Sequence, residues 1–297
     1  MLKVFVLLMP TLLFAQTNLR ELNYFPTKGT FFGETSFQKS TTTYDVLTAD
    51  GEQNGSTLSQ ELAYAPLRGL ALGFNIGHKT SELTVKGDDK DSYESVGLTN
   101  PTLYVAKRLQ WQQAHGKFLD VAFFYTPNTP EAEHATTSED GNVADGGQTF
   151  ALSAALGKKE ADYAWRLQAE LTFVGEQVSK NADNGEEEIY DSQRQLLINY
   201  TYQIPMSENL ALALSGGISF YSEQDFEDDE GDESSFESYR LIVLGGELKY
   251  SLSRDLMLRA MFQFNLPTDI DAESEGTDYE LENFRLSAIT FATTYQF

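Results

Sequence analysis

Apolar and polar side chains alternate with a period of two along most of the chain. In the clearest segment, residues 163–173, every odd position from Tyr163 to Phe173 is apolar or aromatic. The even positions from Arg166 to Thr172 are charged or polar. A β-strand places successive side chains on opposite faces, whereas a helix would scatter these residues around its surface. The pattern therefore predicts strands with one apolar face and one charged face.

Twelve such runs follow one another, and each has at least ten residues. A tilted strand of about 9–11 residues is long enough to cross a bilayer. We therefore predict an all-β fold, a single antiparallel up-and-down transmembrane β-barrel of about 12 strands. The predicted strands are 30–44, 56–65, 70–84, 96–109, 117–126, 148–157, 163–175, 189–204, 210–221, 239–250, 256–266 and 284–297.

Short turns and long acidic loops alternate between these runs. The six long loops hold 34 acidic and 4 basic residues. The net charge of the whole chain is -24, so the remaining segments together are positive. Long loops at one end are typical of outer-membrane barrels, where they face outside, and the acidity argues against a nucleic-acid partner. The loops are 45–55, 85–95, 127–147, 176–194, 222–238 and 267–283.

The N-terminus has the layout of a secretory signal peptide. Lys3 precedes an apolar run at 4–14, and a cleavage site follows Ala15. We predict a signal peptide at 1–15, a periplasmic tail or small plug at 16–29 and the barrel at 30–297. A buried N-terminal helix or strand is the alternative for the apolar run.

The last strand alternates to the final residue, with Ile289, Phe291, Thr293, Tyr295 and Phe297 on one face. This ending resembles that of bacterial outer-membrane β-barrel proteins. The resemblance implies a location in the bacterial outer membrane, with lipid and lipopolysaccharide as neighbours. It also implies that Tyr295 and Phe297 form the membrane-insertion signal that the barrel assembly machinery recognises. A soluble β-sandwich is the alternative fold.

A second resemblance involves residues 96–109 and 120–129. They are similar to the repeated hairpin of outer-membrane transporters linked to meta-pathway phenol degradation. The shared features are a Gly-containing entry, an alternating strand with a late Lys and a return strand that ends near a Pro. The chain departs from the family pattern at Asn100 and Pro101, and again at Thr126 to Asn128.

Charged side chains of both signs face the predicted lumen. A barrel of about eight strands fills itself with side chains, whereas porins of 16–18 strands leave a channel. If the turn at 251–255 is centred near Ser253, Glu247 lies directly opposite Arg259, within reach of an ion pair. The inward positions by parity also include Lys79 and Asp120. We predict a lumen constriction formed by Glu34, Arg166, Glu170, Glu247, Lys249 and Arg259.

Residues for catalysis are sparse. His78 occupies an alternate position that points toward lipid. His115 lies in a predicted periplasmic turn and His134 lies in an external loop. We therefore expect all three histidines to be interfacial or solvated. We predict no enzymatic activity, no cofactor and no metal site. The densest acidic cluster, 225–233, does not fit the EF-hand pattern.

The predicted barrel with charged side chains in its lumen suggests a function, and we predict a narrow channel or passive transporter for small solutes. Because the outer end is strongly negative, cations or neutral solutes should be favoured. The alternative is a non-conducting surface or structural barrel whose acidic loops mediate contact or bind divalent cations.

Overall fold

The computed structural model describes most of the chain and is all β, as predicted. In this part of the chain no helix is long and apolar enough to span a membrane. The predicted signal peptide at 1–15, the following segment to residue 24 and His115 lie outside the described residues. The described residues are 25–46, 49–87, 90–112, 116–129, 132–136, 139–144, 146–160, 162–182, 185, 187–227, 233–274 and 277–297.

Twelve long strands form a closed antiparallel barrel, which confirms the predicted fold. The first and last strands close the ring, with Phe32 opposite Gln296. A β-sandwich would leave such edges unpaired. In ring order the strands are β1 (Phe31–Val46), β2 (Ala49–Leu67), β3 (Leu70–Lys86), β5 (Thr102–Gln112), β6 (Lys117–Thr126), β8 (Thr149–Lys159), β9 (Ala164–Val174), β12 (Gln193–Pro205), β13 (Leu210–Tyr221), β16 (Tyr239–Ser251), β17 (Leu256–Asn265) and β19 (Thr277–Gln296).

Seven shorter strands extend the wall on the long-loop side. Together with the ends of β1, β2, β3 and β19 on that side, they form what we term the collar. Its pairing continues around the ring because Gly141 bridges to Ser95 and Asn142 N–H donates to Glu133 O. The short strands are β4 (Lys90–Leu98), β7 (Ala132–His134), β10 (Gln177–Asn181), β11 (Glu187–Tyr190), β14 (Gln224–Glu227), β15 (Glu233–Phe236) and β18 (Thr268–Ser274).

The prediction that the long acidic segments are loops was wrong in part, because the collar contains strands within them. The segment 45–55 is almost entirely strand, because β1 continues to Val46 and β2 begins at Ala49. The segment 267–283 contains β18 and the start of β19. These strands lie beyond the lipid-facing wall, so their outward side chains, such as Asp269 and Asp271, are polar and the apolar outer face of a membrane strand is missing.

The outer surface of the barrel is apolar and its inner surface is small or polar. On β9 the outward Leu167, Leu171 and Phe173 are exposed, whereas the inward Arg166 and Glu170 are buried. Exposed apolar side chains on the outer face of a closed barrel are those that face lipid. The two faces therefore have the parity that the sequence predicted.

We expect protease added to intact cells to cut the protein within 127–147 or 222–238 and to spare the membrane strands. A Glu-specific protease should cut after Glu223 and Glu237, which are exposed and lie outside the strands, whereas lipid shields the barrel wall. Mass spectrometry of the released peptides measures this. Cleavage inside 163–175 or 256–266 of the inserted protein would contradict the topology.

Candidate functional site

The side chain of Arg259 joins two carboxylates inside the barrel. Its Nε lies 2.5 Å from Oε1 of Glu247, and its Nη1 lies 2.5 Å from Oε2 of Glu34. Thr294 Oγ1 donates a hydrogen bond of 2.6 Å to the same Glu34 oxygen. Glu34 and Lys249 are each only 2% exposed. A buried charged network therefore runs along the inner wall from β16 to β1, near the short-turn end.

The register of the β16–β17 hairpin differs from the predicted one. Lys249 lies directly opposite Arg259, and Glu247 lies opposite Met261. The prediction that Glu247 faces Arg259 directly was wrong, because the hairpin is centred on Arg254 and not near Ser253. The ion pair nevertheless forms diagonally, since both side chains are long. Lys249 Nζ also lies 3.3 Å from Oε2 of Glu247.

Glu61 is a second buried carboxylate, and the predicted site did not include it. It lies opposite Glu34 in the β1–β2 pair and accepts a hydrogen bond of 2.6 Å from the Tyr104 hydroxyl. The Tyr104 ring lies against Gly73, where a Cβ atom would come within 2.5 Å of the ring. Leu58, Leu62 and Tyr64 are apolar or aromatic at even positions of this strand, which makes the even face the outward one. This pattern indicates that Glu61, at an odd position, points inward.

A second ion pair lies on the inner wall between β5 and β6. Arg108 donates from Nε and Nη2 to the two oxygens of Asp120, each at 2.7 Å. The Cζ atom of Arg108 lies over two aromatic rings, 5.0 Å from the centroid of Phe25 and 4.4 Å from the centroid of Phe118. Asp120 was predicted to face inward and does so. Arg108 was missed because the adjacent Lys107 obscured the parity of this strand.

Arg166 and Glu170 face inward from β9, as predicted, and both are buried. They lie opposite Gly157 and Ser153 of β8. Two strands, β12 and β13, separate β9 from β16. The structure thus joins four of the six predicted constriction residues into one network and places Arg166 and Glu170 on a different part of the wall. Their role in a constriction stays a prediction.

An apolar cluster covers part of the inner wall near the collar, and the sequence reasoning did not anticipate it. We name it the outer apolar cluster; Tyr239 packs against it and stacks on Tyr221 at 4.6 Å. Burial raises the pKa of Tyr44 and of Tyr279, which packs beside it, to about 12, so both hydroxyls stay neutral. The cluster consists of Tyr44, Val46, Tyr221, Leu241, Val243, Ile270, Leu281 and Phe284.

The histidines fit the expectation only in part. His78 is exposed on the outward face of β3, as its parity predicted. His134 is not solvated, because its side chain is only 11% exposed and its Nδ1 lies 3.3 Å from Oε2 of Glu188. The same carboxylate oxygen accepts a hydrogen bond from Tyr190. The packing of β7 against β10 buries this group within the collar. Among the described residues no group of three or more potential metal ligands is present.

The C-terminal strand forms the seam of the barrel. Phe31 N–H donates to Phe297 O at 2.7 Å, and Phe297 N–H donates back at 3.0 Å. The Phe297 ring is exposed and stacks on Phe31 and Tyr295. The Tyr295 ring covers Gly33, and its hydroxyl accepts a hydrogen bond from Gln60. Both predicted insertion residues are thus at the outer surface of the seam.

Two solved structures share this architecture. An outer membrane channel from Pseudomonas putida F1 matches with a TM-score of 0.60 and 15% identity, over 92% of this chain and 97% of that chain. The transport unit of the autotransporter AIDA-I from Escherichia coli matches with a TM-score of 0.57 and 9% identity, over 97% of this chain and 94% of that chain. A search of curated protein sequences finds no match.

The membrane-spanning barrel fold is confirmed, and its apolar outer surface agrees with the predicted location in the bacterial outer membrane. A family model described as Putative MetA-pathway of phenol degradation matches residues 37–279. This range covers most of the chain, including the hairpin whose sequence resembled that family. The chain therefore belongs to the family of the Putative MetA-pathway of phenol degradation.

Proposed function

We propose that the protein is a narrow channel or passive transporter for small solutes. The observation that carries this proposal is the charged network of Glu34, Glu247, Lys249 and Arg259 inside the barrel. A barrel with a purely structural role gains little from buried ions, because well-packed apolar side chains stabilise as well or better. Charges on a lumen wall are instead suited to screening solutes. Arg166 and Glu170 contribute to the same constriction from β9.

The charge of the outer end favours cations or neutral solutes. The acidic loops repel anions before they enter the lumen. The outer apolar cluster further suits a neutral solute with an apolar ring, since it offers aromatic contacts and no ionised group. The family description refers to phenol degradation, and a small aromatic compound would fit these surroundings.

Within the predicted segment 16–29, the described residues from Phe25 onward act as a small plug rather than a free tail. Phe25 supports this proposal, because it is buried against Ala71, Ala106 and Ala122 of the inner wall. The guanidinium group of Arg108 covers the Phe25 ring. Displacement of this ring would open space beside the Arg108 ion pair.

Conductance in planar bilayers tests the channel proposal. We expect the full mature protein to conduct weakly and to prefer K⁺ over Cl⁻ in a KCl gradient. Phe25→Ala should raise the conductance because it removes the ring from the lumen. Phe123→Ala is the matched control, since Phe123 faces outward on β6. Equal currents for the Phe25 and Phe123 variants would contradict the plug, and preference for Cl⁻ would contradict the selectivity.

A non-conducting structural barrel is the second candidate. It is favoured by the deep burial of inward side chains such as Glu34, Asp120 and Lys249. In that case the acidic loops serve contact or divalent-cation binding at the cell surface. The absence of current from both the native protein and the Phe25→Ala variant would support this candidate over the channel.

A further inference from the structure

Four exposed basic side chains lie on the outward face of the barrel, where the lipid-facing wall meets the collar. They occupy one arc of the wall, from β12 through β16 and β19 to β1. The opposite arc, from β5 to β9, has no basic side chain at this border among the described residues. We name this set the basic rim; it consists of Lys39, Arg194, Arg240 and Arg285.

The basic rim lies at the collar-side edge of the apolar belt, which is the ring of exposed apolar side chains on the outer wall of the barrel. In three strands the basic residue occupies the next outward position after an exposed apolar side chain. In β19, Arg285 follows Ile289 with only Ser287 between them on that face. The rim therefore lies at the polar edge of the lipid-facing surface. The three pairs are Phe37 and Lys39, Leu196 and Arg194, and Ile242 and Arg240.

The rim side chains have no partner within the described part of the chain. The side chain of none of the four forms an ion pair or a hydrogen bond with another described residue, although the backbone N–H of Arg194 donates to Ser222 Oγ. This is unexpected for a chain with 45 acidic residues, many of them in the collar directly above. Intramolecular ion pairing therefore does not explain why basic residues occupy these positions.

We propose that the basic rim binds the phosphate groups of lipopolysaccharide in the outer leaflet. A lipid that covers the apolar belt with its acyl chains places its phosphorylated head group at the edge of the belt. Arg side chains bind phosphate with two parallel hydrogen bonds, and Lys binds it as a point charge. Anionic head groups attract basic residues at a membrane border in this way. The proposal is independent of whether the lumen conducts.

The test compares two sets of variants in the full-length, membrane-inserted protein. The rim variant carries Lys39→Gln, Arg194→Gln, Arg240→Gln and Arg285→Gln. The control carries Lys28→Gln, Arg68→Gln, Lys117→Gln and Arg254→Gln at the short-turn end, so both lose the same number of charges. Native mass spectrometry in detergent with EDTA measures bound rough-type lipopolysaccharide, and heat-modifiability on gels shows that each variant is folded.

We expect the rim variant to retain lipopolysaccharide at least about tenfold more weakly, and the control to bind like the native protein. Native protein should also bind dephosphorylated lipopolysaccharide at least about tenfold more weakly. Equal retention by the rim variant and the native protein would overturn the proposal. Equally tight binding of dephosphorylated lipopolysaccharide, or of phosphatidylglycerol, would also overturn it.

Discussion

Replacing Arg259 by methionine is expected to destabilise the folded barrel by about 3–5 kcal/mol, the usual cost of removing one partner from a buried ion pair. The guanidinium group contacts both Glu34 and Glu247, so its loss leaves two buried carboxylates without their main counter-charge. Glu61, opposite Glu34, adds a third acidic group nearby. Urea unfolding of the protein in lipid vesicles, followed by Trp fluorescence, measures the change.

The design of the rescue follows from the same contacts. Neutralising Glu247 together with Arg259 leaves Glu34 without its cationic partner and Lys249 without the carboxylate that it contacts. The double variant with Glu34→Gln and Arg259→Met keeps the contact between Glu247 and Lys249, so it should recover most of the lost stability. Arg254→Met, in the exposed hairpin turn, is the matched control and should be neutral. If the single and double variants were equally unstable, lost packing and not uncompensated charge would be the cause.

The barrel itself could be predicted because lipid imposes a strict pattern on each strand. Outward positions such as Leu167, Leu171 and Phe173 must be apolar, and the inward positions between them need not be. Parity alone then placed Arg166 and Glu170 inside. The same argument gave the strand number, since each crossing leaves its own alternating run.

The collar could not be predicted, because its strands have no lipid to face. Above the belt the outward positions face water and are polar, so the apolar outward positions that mark a membrane strand are missing. The residues of β14, for example, appear in sequence as part of one long acidic loop. Pairing between distant segments, such as β7 with β10, leaves no periodic signal at all.

The site was predictable in composition but not in its contacts. Parity identified Glu34, Glu247, Lys249 and Arg259 as inward. Which of them touch depends on hairpin register, and a shift in the turn centre from Ser253 to Arg254 changes the directly opposed pair. Arg259 and Glu247 still form an ion pair as diagonal neighbours, because both side chains are long.

Contacts across several strands were harder to predict still. The Tyr104 hydrogen bond to Glu61 and the stacking of Arg108 on Phe25 join segments that are distant in sequence. No local pattern encodes these distances. They follow from the closure of the ring and from the small side chains, such as Gly73 and Ala106, that make room for the rings.

Deleting Phe297 is expected to reduce the amount of protein inserted into the outer membrane several-fold, without reducing export to the periplasm. The deletion removes the terminal aromatic side chain and the two backbone hydrogen bonds that join Phe297 to Phe31 at the seam. Cell fractionation combined with heat-modifiability on gels separates inserted barrel from exported, unfolded chain. Normal amounts of heat-modifiable protein after the deletion would contradict the role of the terminal residue.

Two further variants separate recognition from seam stability. Phe31→Ala removes the ring that stacks on Phe297 but leaves the C-terminal residues intact. Phe297→Tyr keeps an aromatic terminus and the backbone pairing. If the terminal residues act as a recognition signal, both variants should insert nearly as well as the native protein. If the ring contact at the seam matters instead, Phe31→Ala should insert clearly less well than the native protein, even though it keeps the two backbone hydrogen bonds to Phe297.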